Sequence, residues 1–279
     1  MFNEGNFAKL AEFIYRKSGI FLEESKHYDK INKYVLKRIE ELDVSNFRKY
    51  FFHLRFEDKD GTEFQNLMNG VTVNETYFFR EHDQFEVMVN DVLPQLDKLR
   101  PSNEPLRILS APCSTGEEPY SMVLYLLEEE GLIEKRDIEI IGIDIDSNVI
   151  KKAQDGKFSE RSVHAIPPVQ MGRYFKKSGL SFNLIDDLVG AVDFKVVNIF
   201  DRAAIRELGK FDIIFSRNML IYFDDASKKE VAMNFYDMLK PSGYVFLGHA
   251  EYMSRIVSVF KAKKFGSTMI YQKWCRNRV

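Results

Sequence analysis

The chain has 279 residues, 45% of them hydrophobic and 29% charged, with a formal net charge of −2 and a pI near 6.3. Its two cysteines, Cys113 and Cys275, make neither a disulfide framework nor a metal-ligand spacing, and the near-neutral charge argues against a nucleic-acid binder. The amino terminus has no basic segment followed by an apolar core, and no apolar run approaches the ~18 residues of a membrane span. With two free thiols in a reducing compartment, a cytoplasmic protein of one or two domains is expected.

Residues 1–80 read as an all-helical domain with a basic face. Phe7, Leu10, Ile14 and Tyr15 form one helical stripe, Ile31, Tyr34, Val35 and Ile39 a second. Phe47, Tyr50, Phe51 and Leu54 form a third, and Phe64, Leu67 and Met68 a fourth. Gly19, Asp43–Ser45 and Asp58–Gly61 supply the breaks, with Ser45 expected to cap the third helix. On the second helix Lys26, Lys30, Lys33 and Lys37 follow i, i+3 and i+4 steps, with Arg38 beside them. That row is either a solvated face or a docking surface for an acidic partner. No aromatic residues interleave on it, which disfavours nucleic acid.

Val71–Glu81 holds a polar cluster, Asn74 and Thr76, that ends in Arg80. Residues 81–104 read as a linking helix and a loop, with Pro94 expected to kink or break the helix.

Residues 105–279 alternate strands and helices. Leu106, Ile108 and Leu109 form a strand, Ala111–Gly116 a tight turn, and Tyr120, Val123, Leu124 and Leu127 the buried face of a helix. Ser114 or Thr115 is expected to cap that helix. This is the opening of an open α/β sheet, in which ligands sit beyond the carboxyl ends of the strands. Glu117 and Glu118 stand where a pyrophosphate-binding helix would offer bare N–H groups. Two like charges at ~5 Å cost about 3 kcal/mol at an effective dielectric near 20. The turn therefore suits a ligand carrying an ammonium or sulfonium better than a dinucleotide. The alternative is that both acids merely complement the helix dipole.

Ile138–Ile143 is a second strand ending in Asp144-Ile-Asp146. Asp144 is the candidate acceptor for ribose hydroxyls, and Asp146 could equally be a helix cap. A small antiparallel insertion is expected at about 170–193. Phe194–Val197 is a third core strand, ending at Asn198-Ile199, and Phe211–Phe215 a fourth, ending in Ser216-Arg217-Asn218. Asp224 or Asp225 should cap the next helix, and Lys240–Gly243 should stop it. Tyr244–Leu247 is a fifth strand, and residues 265–274 should close the sheet as an antiparallel edge.

Four separated segments resemble the CheR family of chemotaxis receptor methyltransferases. They are Asn74, Thr76 and Phe78-Phe79-Arg80; Ser114-Thr-Gly-Glu-Glu-Pro-Tyr-Ser121; Arg217-Asn218 running on to Tyr222-Phe223; and Gly248-His-Ala-Glu251, where Ala250 replaces the family's serine. The resemblance implies an open, mostly parallel Rossmann-like class I methyltransferase sheet with a small antiparallel insertion, behind an all-α amino-terminal domain. It implies methyl transfer from S-adenosylmethionine to glutamate side chains of bacterial chemoreceptors, which sets receptor adaptation and leaves S-adenosylhomocysteine. With the acids above, the cofactor-binding set is Asn74, Thr76, Arg80, Glu117, Asp144, Asn198, Ile199, Arg217 and Asn218. Lys33, Lys37 and Arg38 would meet the substrate, the cytoplasmic helical region of a transmembrane chemoreceptor. No metal, nucleic acid or membrane insertion is implied, and a monomer is expected. Family members that grip a receptor tail peptide carry a glycine-rich loop in the insertion. Here Lys177–Ser181 holds one glycine, Gly179, so methylation independent of a tail is expected.

The chemistry needs no acid or base. A free glutamate side chain, with a pKa near ~4.3, is already ionised at neutral pH, and the leaving group is a neutral thioether. Catalysis then rests on alignment, which contributes up to ~7–11 kcal/mol. A dehydrogenase would want three glycines in the turn where only Gly116 stands. A nucleic-acid amino-methyltransferase would want an Asn/Asp-Pro-Pro-aromatic element in place of Ser216-Arg-Asn-Met219. A catalytically weak module that binds S-adenosylmethionine and docks on a receptor-like helical partner is the remaining alternative.

Overall fold

The computed structural model describes residues 2–129 and 136–274; Cys275, one of the two expected free thiols, lies outside them. Cys113 is free and buried. Helix α1 (Glu4–Ser18) starts where the Asn3 side chain accepts the Asn6 N–H at 3.0 Å, and ends at Gly19 in the left-handed region, φ 71°. A Cβ at Gly19 would sit 2.0 Å from the Phe200 ring, so this turn is also a close approach to the sheet domain. Helices α2 (Glu24–Glu41), α3 (Phe47–Phe52, prolonged by a π turn over His53–Glu57) and α4 (Thr62–Val71) bury Leu10, Ile14, Ile31, Val35, Tyr50 and Leu67 among them. Asn46 rather than Ser45 caps α3, accepting the Lys49 N–H at 3.1 Å.

Residues 72–77 run without regular structure into α5 (His82–Val87), a π turn over Met88–Val92, and α6 (Leu93–Leu99). Pro94 does not break this helix. It falls in the first turn of α6, and the Leu93 N–H reaches back to the Met88 carbonyl, so the π turn absorbs the misfit.

The sheet domain begins with β1 (Leu106–Ser110), α7 (Glu117–Glu128), β2 (Ile138–Asp144) and α8 (Ser147–Asp155). A three-stranded antiparallel sheet follows, β3 (Lys157–Ser159), β4 (Phe175–Ser178) and β5 (Ser181–Leu184), in the order β3-β5-β4. Helices α9 (Glu160–Val163) and α10 (Pro168–Tyr174) lie between β3 and β4, and α11 (Asp186–Val189) follows β5. This insertion begins and ends earlier than the expected 170–193. Three-residue β3 is too short to show alternation, and Val192 already belongs to a core strand.

The chain returns through β6 (Val192–Val196), α12 (Arg202–Glu207), β7 (Phe211–Ser216), α13 (Asp225–Met238), β8 (Leu239–Leu247), β9 (Phe260–Phe265) and β10 (Thr268–Lys273). The main sheet has seven strands in the order β6-β2-β1-β7-β8-β10-β9. The first five of these pair in parallel, while β10 is antiparallel to both β8 and β9. Helix α13 ends at Met238, just before Lys240–Gly243, and those four residues run on as the irregular start of β8. One expectation changes here: β9 rather than β10 is the edge. Strand β9 alternates too weakly to be read, because Lys261, Lys263 and Lys264 leave mainly Phe260 to the core.

Apolar layers cover both faces of the main sheet. Ile108, Tyr120, Leu124, Phe194, Phe215 and Phe246 belong to one, and Leu109, Ile141, Ile214, Phe235, Val245 and Leu247 to the other. Strand order reverses at β1, which puts the crevice beyond the carboxyl ends of β1, β2 and β7. The helical domain closes that crevice from above. Tyr15 Oη donates to Asp224 at 2.9 Å, Gln65 to the Ile145 carbonyl at 2.7 Å, and Asn69 to Ser147 Oγ at 3.0 Å.

Candidate functional site

The crevice has two lobes that share Val73, Asn74, Pro112, Asp144 and Tyr222. One lobe is mostly apolar: Ile143, Ile145, Val197 and Ile199 come from the sheet side, Ile20 and Phe21 from the helical domain. The other is polar, lined by Thr76, Arg80, Ser114, Glu118, Arg217 and Asn218. The crevice thus joins an apolar lobe to a polar lobe lined by charged side chains of both signs.

Asp144 stands where the lobes meet. It is the last residue of β2, 4% exposed, and its carboxylate accepts the Ser114 and Asp146 N–H groups, each at 3.0 Å. Burial pushes its pKa up to about 6, and those two N–H groups oppose the shift. Asp146 does serve as the cap of α8, accepting the Asn148 N–H at 2.8 Å. Its second oxygen accepts Thr72 Oγ at 2.7 Å and Asn74 Nδ2 at 2.8 Å. The interdomain segment is thereby tied to the end of β2, which is how Asn74 arrives beside Asp144.

The two acids that open α7 face adjoining hollows that share Val73, Asn74, Glu75 and Thr76. Neither Ser114 nor Thr115 caps the helix; Gly116 does so without a side-chain bond. Glu117, the expected cofactor residue, accepts Thr115 Oγ at 2.6 Å and faces a neighbouring hollow with Thr76, Ser159 and Ser162. Burial pushes its pKa up. Glu118 is the acid that lines the crevice. It accepts Ser110 Oγ and Arg217 Nε, both at 2.6 Å. Its charge is thus matched by a buried guanidinium. Successive helix residues point about 100° apart, and which of the two turns inward depends on how α7 sits on the sheet.

Arg217 is 6% exposed. It also donates to the Arg80 carbonyl at 2.6 Å and lies over the Phe85 ring, 4.9 Å from its centroid. It therefore fixes the end of the interdomain segment against the end of β7. Arg80 itself donates to the Glu75 carbonyl at 3.1 Å and lies over Tyr77.

Asn218 takes a left-handed conformation, φ 57°, and turns the chain after β7. Glu251 holds that turn: its carboxylate accepts the N–H groups of Asn218 (2.9 Å), Leu220 (2.8 Å) and Gly248 (2.9 Å). The turn then presents Tyr222 to both lobes. Asn198 and Ile199 line the apolar lobe, and Asn198 Nδ2 donates to the Lys17 carbonyl at 2.7 Å. Sequence reasoning missed Tyr222, hidden in an apolar run, and the Ile20–Leu22 roof. Glu251 was legible only as part of a family segment.

The basic helix face is thinner than its lysine spacing suggests. Lys30 Nζ donates to the carbonyls of Val71 (3.0 Å) and Thr72 (3.1 Å), closing the end of α4. Arg38 turns inward to Glu63, which is 3% exposed and also accepts the Tyr50 hydroxyl at 2.9 Å. Its geometry serves the helical core, which removes it from the substrate surface. Lys33 and Lys37 remain exposed, Lys37 with Glu41 at 3.4 Å.

The sheet order, with five parallel strands followed by the antiparallel β10 and β9, and a crevice at the strand ends that joins an apolar lobe to a polar one define a Rossmann-like class I methyltransferase fold. Residues 74–269 match the family model described as CheR methyltransferase, SAM binding domain. The chain is 46% identical to chemotaxis protein methyltransferase 2 of Vibrio cholerae over 96% of its own length and 92% of that protein's. It is 32% identical to the chemotaxis protein methyltransferase of Escherichia coli, over 91% and 86% of the two chains. The solved N-methyltransferase NodS of Bradyrhizobium japonicum is similar over 69% of this chain and 87% of its own, at 12% identity and a TM-score of 0.41. The chain belongs to the CheR methyltransferase family. Among the described residues no helix is long and apolar enough to cross a membrane, and no cluster of side chains could hold a metal ion.

Proposed function

We propose that this chain is a cytoplasmic, monomeric protein-glutamate O-methyltransferase. Its substrates would be glutamate side chains on the helical cytoplasmic region of bacterial chemoreceptors, and its methyl donor S-adenosylmethionine. The observation that carries the reading is the two-lobed crevice with Asp144 at its waist. The apolar lobe fits an adenine, Asp144 fits a ribose diol, and the polar lobe fits a charged amino-acid end. S-adenosylmethionine supplies an activated methyl group and a neutral leaving group. The protein's part is to hold and to align. Asp144 accepts the ribose hydroxyls, Ile145, Val197 and Ile199 enclose the base, and Glu118 with Arg217 shapes the polar end. Asn74, Thr76, Asn198 and Asn218 complete the lining. Glu117, bonded to Thr115 and beside Asn74 and Thr76, belongs to the same cofactor-binding set. Arg80, at the mouth, supplies positive charge for an incoming carboxylate, and Tyr222 narrows the passage between the lobes. Raised acid pKa values are not needed for proton transfer here, because the nucleophile arrives ionised.

The test is incubation with S-adenosylmethionine labelled in the methyl group and a receptor cytoplasmic fragment, scored for base-labile methyl esters. Labelled ester is expected. Tight binding of the donor without ester would favour the weak signalling module instead. Within the same assay, Lys33→Glu with Lys37→Glu should raise KM for the fragment. Each exposed contact is worth ~0–1 kcal/mol, so the combined rise should be a few-fold, and larger at low salt. Unchanged kinetics at both salt levels would make these lysines a solvated surface.

A further inference from the structure

Three large apolar side chains at the crevice mouth are left in water. Phe21, Val73 and Ile221 are 49%, 55% and 57% exposed. They come from separate parts of the chain: the α1–α2 connection, the interdomain segment and the turn after β7. Main-chain contacts join the first of these segments to the third. The Phe21 N–H donates to the Tyr222 carbonyl at 2.9 Å, and Ile20 bridges to Phe223, so the first connection is seated on the third. Val73 lines both lobes, Phe21 the apolar one and Ile221 the polar one. Scattered apolar residues need no explanation, but a ring of them around a polar mouth marks a surface that another molecule covers.

Helix α2 leaves from beside the ring. It starts at the crevice, which His27 lines, and carries Lys33, Leu36 and Lys37 on its outer side, with Leu36 47% exposed. From His27 to Lys37 is roughly ten residues, and so about 15 Å of helix. The track is therefore apolar at the mouth, then cationic around a single apolar residue. Arg80 adds charge inside the mouth, where it lies over Tyr77.

We propose that Phe21, Val73 and Ile221, continued by Leu36 between Lys33 and Lys37, form a docking track for one amphipathic helix of the protein substrate. This rests on the glutamate-methylation reading above. The partner's acidic residues meet the two lysines, its apolar residues cover the rim, and one glutamate projects into the mouth toward Arg80. The rim matters to chemistry as well as to affinity. A carboxylate nucleophile reacts better once its water shell is stripped, and an apolar collar closed by an apolar helix face does that. A flexible peptide carrying the same glutamate would leave the collar open.

The experiment compares wild type, Ile221→Ser, Val73→Ser and the double variant in steady-state methylation of a helical receptor fragment, at low and high salt. Calorimetric titration with S-adenosylhomocysteine runs in parallel, and thermal melts check folding. The double variant should raise KM for the fragment roughly tenfold at both salt levels, as loss of central apolar contacts does at protein interfaces. The rise should exceed any change in Kd for S-adenosylhomocysteine by at least about fivefold. An unchanged KM overturns the proposal. So does an equal rise in both constants, which would make the rim part of the cofactor pocket, and so does an effect confined to low salt, which would leave docking to the lysines. If wild type forms no ester on the fragment, the functional reading itself fails and the track falls with it.

Discussion

Affinity for S-adenosylhomocysteine should fall as the pH is lowered through about 6, the value to which burial raises Asp144. The ribose diol donates, so it needs the ionised carboxylate. Asp144 is raised above its ordinary 3.8, so in the free protein burial favours the protonated form. Ionising it costs the free fold stability as pH rises from its unfolded value through about 6. Ligand hydroxyls recover part of that cost, and they do so only above the same window. At neutral pH, Asp144→Ala should weaken binding by about 1–3 kcal/mol, the loss of hydrogen bonds to a charged acceptor. Glu117 and Glu251 are also pushed up by burial, so the share of the slope that belongs to Asp144 is the part that Asp144→Asn removes. Calorimetry across this pH range, on wild type and Asp144→Asn, decides it. A wild-type affinity flat through pH 6, or an Asp144→Asn variant with the wild-type slope, would take the ribose away from Asp144.

Arg217→Met should lower stability by about 3–5 kcal/mol, the cost of leaving a buried partner charge uncompensated. The stranded group is Glu118, which is 7% exposed and bonded to Arg217 at 2.6 Å. For a chain of this size each kcal/mol moves Tm by about 2–4 °C, so a fall on the order of 10 °C is expected. Arg217→Lys should be rescued only in part. A lysine is a point charge and cannot keep both the Glu118 bond and the bond to the Arg80 carbonyl in the planar fork. Adding Glu118→Gln to Arg217→Met should recover most of that stability, because the closer partner is then neutral, while the remaining acid, Glu81, lay 3.8 Å from Arg217 and keeps its bond from Gln84. The recovered protein should still bind S-adenosylhomocysteine poorly, since the polar lobe has lost the Glu118–Arg217 pair. Melting curves on the single and double variants separate the two effects. A double variant no more stable than Arg217→Met would mean that packing over Phe85 and Phe215, rather than the ion pair, holds this corner.

These two corners also mark where sequence reasoning reached and where it stopped. Asp144 was legible because an acid just after an apolar strand run stands in line with the sheet's carboxyl edge, whatever else the chain does. Which of Glu117 and Glu118 pairs with Arg217 was not legible. Adjacent residues on a helix differ by about 100° in direction, and only the packing of α7 against β1 and β7 decides which one meets Arg217. Lysine spacing on α2 was read correctly as one face, yet spacing says nothing of what a neighbouring element offers. Glu63 lies 25 positions away from Arg38 and claims its charge, and the end of α4 claims Lys30.

By itself, then, the sequence determined the kind of elements and their order: helices first, then alternating strands and helices around a strand-turn-helix opening. It also determined the family, through four separated segments. Periodicity and turn chemistry are local, and local signals survive without coordinates. Tertiary structure alone decided that the helical domain is a wall of the crevice, through Phe21 on Tyr222 and Asn74 on Asp146. It alone decided that β9 is the sheet edge, and that Glu251 builds the turn bearing Asn218 and Tyr222. Each of these joins residues far apart in the chain, and long-range pairing is set by the balance of packing over the whole molecule rather than by any one segment.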